Sequence, residues 1–141
     1  MTSAHVAQIA HLETVCFSDP WSEKAIASEL NNPLSFWLVA TCGEDVVGYV
    51  GSQAVLGEAD MMNLAVCPEY RRTGLGSRLV QALIDGLDGL ECRSLTLEVR
   101  VSNEAAIALY EKIGFVQVGK RPNYYFHPKE DALILRKEWD V

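Results

Sequence analysis

The stretch from Asn63 to Val80 restricts the fold of this chain more than any other. A short run of β-formers, Asn63 to Val66, reaches Pro68. It passes through a basic loop that carries Gly74 and Gly76, then resumes from Leu75 with apolar residues at helical spacing. A strand that feeds glycines into a helix N-terminus builds an anion site, because the free N–H groups of the first turn and the positive end of the helix dipole converge there. A phosphate-bearing ligand is therefore expected at this loop. The whole chain carries a formal charge of −7, so the anion must be caught by local charge from Arg71, Arg72 and Arg78. The same balance argues against nucleic acid or an anionic membrane as partner, since both need a basic face.

Two common phosphate loops do not fit. Gly74-Leu75-Gly76 opens like a dinucleotide fingerprint, but the sixth position is Leu79, and seven residues separate the strand from the first glycine. A Walker loop needs Gly-Lys-Ser/Thr, which is missing. What remains is R-x-x-G-x-G, Arg71 to Gly76.

The surrounding sequence supplies the frame. At 141 residues, with 49% hydrophobic and 22% charged residues, the chain is expected to form one domain, residues 1–141, with a real core. Ser3 to Phe17 has Val6, Ile9, Ala10 and Leu12–Glu13 at helical spacing, and Ser22 is placed to N-cap a second helix that runs through Leu30. Ser35–Thr41, Val46–Leu56 and Ala59–Val66, separated by turns at Gly43 and Gly57, read as an antiparallel meander. Leu75, Leu79, Val80, Leu83, Ile84 and Leu87 mark one face of the next helix, with Gly86 and Gly89 expected to weaken and stop it. Ser94–Val99 follows as a strand parallel to the Leu64 strand across a right-handed crossover. Asn103 should cap a short helix that Gly114 ends. Two last strands, Phe115–Lys120 and Ala132–Trp139, would be joined by an aromatic loop, Pro122 to Phe126. The expected class is a mixed α/β sandwich.

Cys16, Cys42, Cys67 and Cys92 are widely spaced, with no C-x-x-C pair, and His5, His11 and His127 form no constellation with them. No metal site is expected, and the thiols should be reduced, as in a cytoplasmic protein. No leader-like or membrane-length apolar run appears in the sequence. Serine and cysteine nucleophiles lack a partnered base, so no covalent acyl-enzyme is suggested.

Arg71 to Gly76 resembles the pyrophosphate loop of the GNAT acyltransferases, which hold acetyl-coenzyme A. The similarity extends along the chain through Phe17-Ser18-Asp19-Pro20-Trp21-Ser22, Leu97-Glu98-Val99-Arg100, Ser102-Asn103, Leu109-Tyr110, Gly114-Phe115, Tyr124-Tyr125 and Glu130-Asp131-Ala132. In this order the motifs resemble RimI-type enzymes, the N-acetyltransferases of ribosomal-protein N-terminal alanine. The resemblance implies a GNAT-like mixed sheet, with a parallel strand pair at the coenzyme site and flanking helices. The family's first strand would be absent or reduced to Met1–Thr2. It implies acetyl-CoA as co-substrate, with the Leu64, Ala65 and Val66 backbone aligning the pantetheine arm. Arg71, Arg72, Thr73, Gly74, Leu75, Gly76 and Ser77 would hold the pyrophosphate, and Asn103 would make a further contact.

By the same resemblance Glu98 is the proton acceptor and Tyr110 the acid that assists the departing thiolate. Periodicity alone reads Glu98 as a solvated strand carboxylate and Tyr110 as a core aromatic. Trp21, Tyr124 and Tyr125 would line the acceptor mouth, where they can equally pack on the core. The implied acceptor is the N-terminal alanine of the eighteenth small-subunit ribosomal protein. Other protein N-termini, lysines or small amines on the same scaffold form the first alternative. A CoA-binding regulatory module without turnover is the second, and the presence of both Glu98 and Tyr110 argues against it.

Overall fold

A computed structural model describes residues 1–139. Six strands form one sheet in the order β1-β2-β3-β4-β6-β5: β1 (Ser35–Cys42), β2 (Asp45–Val55), β3 (Glu58–Val66), β4 (Ser94–Arg100), β5 (Val116–Tyr125) and β6 (Glu130–Glu138). All neighbours are antiparallel except β3 and β4, which are parallel as the crossover through α3 (Leu75–Gly89) requires. Among the described residues no strand precedes the first helix, α1 (Val6–Cys16). Met1 lies instead at the free edge of β1, its amino group donating to the Trp37 carbonyl at 3.2 Å.

Each face of the sheet carries its own core. On one side α3 and α4 (Glu104–Ile113) bury Leu79, Leu83, Leu87 and Tyr110 against Val50, Leu95, Leu97 and Val99. On the other, α1 and α2 (Glu23–Ser28) bury Val6, Ile9, Leu12 and Ile26 against Trp37, Tyr49 and Ala65. Strand alternation divides these sets: Leu95, Leu97 and Val99 of β4 face α3 and α4, leaving Thr96, Glu98 and Arg100 for the α1–α2 side. The caps form as the local rules require. Ser22 Oγ accepts from the Ala25 N–H at 3.0 Å, Asn103 Oδ1 accepts from Ala106 at 3.2 Å, and Gly114 ends α4 in the left-handed region.

Gly86 departs from the sequence reading. It lies inside α3 rather than weakening it, because a Cβ there would sit 2.5 Å from the Phe36 ring. Its role is close helix–sheet approach. The aromatic segment also departs: Pro122 to Tyr125 belongs to β5 and is not a loop. β5 is an edge strand, where a proline costs no ladder bond, and a register shift between Arg121 and Tyr125 absorbs the turn-forming Pro122-Asn123 pair. Asn123 takes a positive φ and donates its N–H to Asp131 Oδ1 at 2.8 Å.

Candidate active site

The parallel pairing of β3 and β4 covers only Glu58–Asp60 against Ser94–Thr96. Beyond Asp60 the strands diverge, and one edge of β3 is left open. Cys67 donates its N–H to Val47 on β2. Successive residues alternate, so Ala65 also turns its backbone toward β2, and Leu64 and Val66 present theirs to the split. An extended amide-bearing arm can pair there as an added strand. The predicted trio is thereby sorted: Leu64 and Val66 offer polar groups, while Ala65 packs in the core below α1.

At the C-terminal end of β3 the split opens onto the basic loop. Gly74 stands at the α3 N-cap with φ of 83°, open space where its Cβ would be, and no side chain capping the first turn. The N–H groups of Leu75, Gly76 and Ser77 therefore face outward, since the first helical bond runs from Arg78 N to the Gly74 carbonyl. A Cβ on Gly76 would come within 3.2 Å of the Leu109 side chain, so glycine eases the close approach of this turn to α4. Arg72 and Arg78 are exposed and make no ion pair among the described residues. The charge, the dipole and the free donors suit a pyrophosphate. Arg71 is arranged differently. Its side chain folds back, Nε donating to the Val66 carbonyl at 3.3 Å and Nη2 lying 3.4 Å from Cys16 Sγ.

Glu98 and Tyr110 flank the split from opposite faces. Glu98 is partly covered and meets Arg121 Nε at 3.4 Å. Tyr110 is buried on α4 with its ring edge-on to Phe115, and among the described residues its hydroxyl has only the Met61 thioether as partner, at 3.8 Å. Met61 immediately follows Asp60, the last residue of β3 paired with β4, so the hydroxyl lies where those two strands part. Burial pushes the Tyr110 phenol well above its usual range, and the neighbouring Tyr125 adds to the effect. A phenol held neutral, with no strong acceptor, is a donor in waiting.

Tyr125 is half-buried, its ring 4.3 Å from the Arg100 guanidinium and packed edge-on to Tyr124. Burial, then Tyr124, then the Glu98 charge push its phenol up to about 12. Tyr124 is 45% exposed and has Arg121 over its ring. Trp21 sits edge-on to Trp37 at 5.7 Å, so it both covers the core and borders the same face. Asn103 is the helix cap just beyond β4.

Several residues of this face escaped the sequence reading as site members. Arg100 donates to the Phe126 and Pro128 carbonyls and pairs with Glu130 at 3.3 Å, which fixes the β5–β6 turn beside Tyr125. Glu130 also accepts the Ser102 N–H at 2.7 Å. His127 Nδ1 meets Asp19 at 2.9 Å, tying that turn to the α1–α2 loop. Strand alternation could have found Arg100, two residues beyond Glu98; the others come together only through the tertiary fold. A cavity of about 640 Å³ lies at the opposite end of β3 and β4, near Glu58, Arg93 and Ser94. Arg136 pairs there with Glu58 and Glu138, each at 2.8 Å, away from the groups just described.

Residues 6–115 match the model of the acetyltransferase (GNAT) family. The ribosomal protein bS18-alanine N-acetyltransferase of Escherichia coli is 44% identical over 128 residues, which cover 89% of this chain and 85% of that protein. The N-alpha-acetyltransferase RimI of Mycobacterium tuberculosis is 36% identical over 145 residues, covering 98% of this chain and 89% of its own length. The crystal structure of the Escherichia coli ribosomal-protein-S18-alanine N-acetyltransferase superposes with a TM-score of 0.92 and 37% identity, over 100% of this chain and 92% of that one.

Proposed function

The chain belongs to the GNAT family of acetyltransferases, and from that membership we propose that it transfers acetyl from acetyl-CoA to the N-terminal alanine of ribosomal protein bS18. The observation that carries this reading is the split between β3 and β4, with a carboxylate on one face and a buried, under-satisfied phenol on the other. The acceptor is drawn from relatives whose names state that protein as their substrate.

The residues fit the co-substrate. The open Leu64 and Val66 backbone suits the amides of a pantetheine arm, and the α3 N-terminus with Arg72 suits the pyrophosphate. Arg71 joins them once it leaves the Val66 carbonyl, and the family resemblance assigns Asn103, the α4 cap, a further contact. Acetyl-CoA, when bound, supplies the acyl group as an activated thioester. An α-amino group has a pKa of about 7.7–8.0 and is mostly protonated at neutral pH, so it must shed a proton to attack. Glu98 accepts that proton, directly or through a water. Tyr110 holds its own proton on the far side and offers it as a hydrogen bond to developing negative charge. Trp21, Tyr124 and Tyr125 border the acceptor's path, and positioning amine and acyl group together supplies much of the rate.

Within residues 1–139 one sheet carries the helices on both its faces, which supports the reading of a single catalytic domain. Among the described residues no helix is long and apolar enough to cross a membrane. A ribosomal-protein substrate is consistent with action in the cytoplasm.

Incubation with acetyl-CoA and a panel of peptides, read by mass, tests the acceptor. A gain of one acetyl on the alanine-initial bS18 peptide, and not on the same peptide with a blocked N-terminus, is the expected result. Acetylation confined to internal lysines would sink it. Acetyl-CoA alone should also raise the melting temperature, since a ligand at about 100 times its Kd adds about 2.7 kcal/mol to the folded state. An unmoved transition at saturating ligand would refute the coenzyme site.

A further inference from the structure

Glu13 takes no part in the chemistry above, yet it is fully buried, on the stripe of α1 that otherwise carries Val6, Ile9 and Leu12. Its Oε1 accepts the Trp21 N–H at 2.9 Å and the Asn63 side-chain amide at 2.9 Å. Its Oε2 accepts the Asn63 amide at 3.1 Å and the Tyr49 hydroxyl. No Lys, Arg or His among the described residues forms an ion pair with it. Burying a carboxylate with no cation is costly, and burial does push this carboxyl up, with the three donors partly countering it. A wholly apolar cluster, with Glu13 and its donors replaced together, would pack at least as cheaply, so burial alone does not account for a glutamate here.

What the carboxylate joins does account for it. Its donors come from the α1–α2 loop, from β2 and from β3. Trp21 is the loop residue that borders the acceptor face. Asn63 lies at an irregularity of β3: Gly51 pairs with Asn63 and Ser52 with Met61, which leaves Met62 as an extra residue. Core membership records the effect. Met61 and Leu64 both face α3 and α4, whereas Met62 packs on the α1 side and Asn63 points to Glu13. Two successive side chains thus turn to the acceptor face, just past the point where β3 leaves β4 and beside the residue that Tyr110 touches. We infer that Glu13 is a positioning residue for the acceptor: it fixes Trp21 and the β3 bulge in one register, so that the incoming amine meets Glu98 across the split. This rests on the proposed acetyl transfer to a protein N-terminus. Glu13 is not a catalytic residue; it acts through Trp21 and Asn63.

The test compares Glu13→Gln, Asn63→Ala and Tyr49→Phe with the wild type in the full chain. Peptide concentration is varied at saturating acetyl-CoA, and the acetyl-CoA-induced melting shift is measured in parallel. Glutamine keeps the volume but brings one acceptor and a competing NH₂ to three donors. For Glu13→Gln the kcat/KM for the alanine-initial peptide should fall ten-fold or more, mainly through KM. The melting shift given by acetyl-CoA should be retained. Asn63→Ala should reproduce the peptide KM effect, while Tyr49→Phe, which leaves both acceptor-side contacts in place, should stay within about three-fold of wild type. If Glu13→Gln does not fold, Asn63→Ala decides alone. Wild-type peptide KM in the folded variants overturns the role, as does a parallel loss of peptide and acetyl-CoA affinity. A wild type that acetylates no N-terminal peptide overturns the proposed function, and this role with it.

Discussion

Replacing Glu98 with glutamine is expected to lower turnover by about 10²–10⁴-fold, the range that general-base groups supply, while acetyl-CoA binding survives. The amide matches the carboxylate in shape, so the protein loses a proton acceptor and little else. Its ion pair with the exposed Arg121 is of a kind worth about 0–1 kcal/mol. The fold should therefore be unaffected, and the acetyl-CoA melting shift should match that of the wild type. The acceptor's own titration adds a second signature. Above a pH of about 8 most α-amino groups arrive already deprotonated, so the deficit should narrow without vanishing. A rate profile against pH at saturating acetyl-CoA reads this directly. A variant with wild-type turnover at neutral pH would remove Glu98 from the proton path.

Tyr110→Phe is expected to cost about 10²-fold in turnover, the lower end of acid–base effects. It should change stability by no more than about 1 kcal/mol, the worth of an ordinary hydrogen bond. The hydroxyl contributes little to the fold: its sole partner among the described residues is the Met61 sulfur, a weak acceptor, and the ring contact with Phe115 survives the change. A phenol pushed above its ordinary range is a poor source of a fully transferred proton, because a thiol of ordinary pKa is the stronger acid. Its contribution is then a hydrogen bond that strengthens as charge builds on the departing group. The loss should appear in kcat, with peptide KM little changed. Steady-state kinetics beside denaturant unfolding separate the two effects. Unchanged kcat would leave Tyr110 as a core residue.

The parts of this molecule legible in the sequence are those fixed by local periodicity. The stripe from Leu75 to Leu87 gives α3, and alternation in β4 puts Glu98 and Arg100 on the face opposite Leu95 and Leu97. Ser22 and Asn103 cap as their side chains dictate. Readings failed where tertiary context reversed a local signal. Pro122-Asn123 looks like a turn, yet it is held in an edge strand because no further strand needs the missing N–H. Gly86 looks like a helix breaker, yet Phe36 requires it. The bulge at Met62 is silent because Met61 and Met62 are identical side chains that pack on opposite sides of the sheet, so either could be the extra residue by sequence. Glu13 did leave a mark, as the one acid on the apolar stripe of α1, but only the fold reveals that three donors converge on it.

The early separation of β3 from β4 also bears on how the protein moves. With only Glu58–Asp60 and Ser94–Thr96 hydrogen-bonded across the middle, the sheet amounts to two three-stranded leaves joined by a short hinge. Each leaf is knitted internally by long antiparallel ladders, so thermal opening should concentrate along the seam between them. A molecule lying in that seam bonds to one leaf and bears on the other, and so damps their relative motion. A co-substrate seated there, as proposed above, would serve as the missing rung between the two leaves for as long as it is bound.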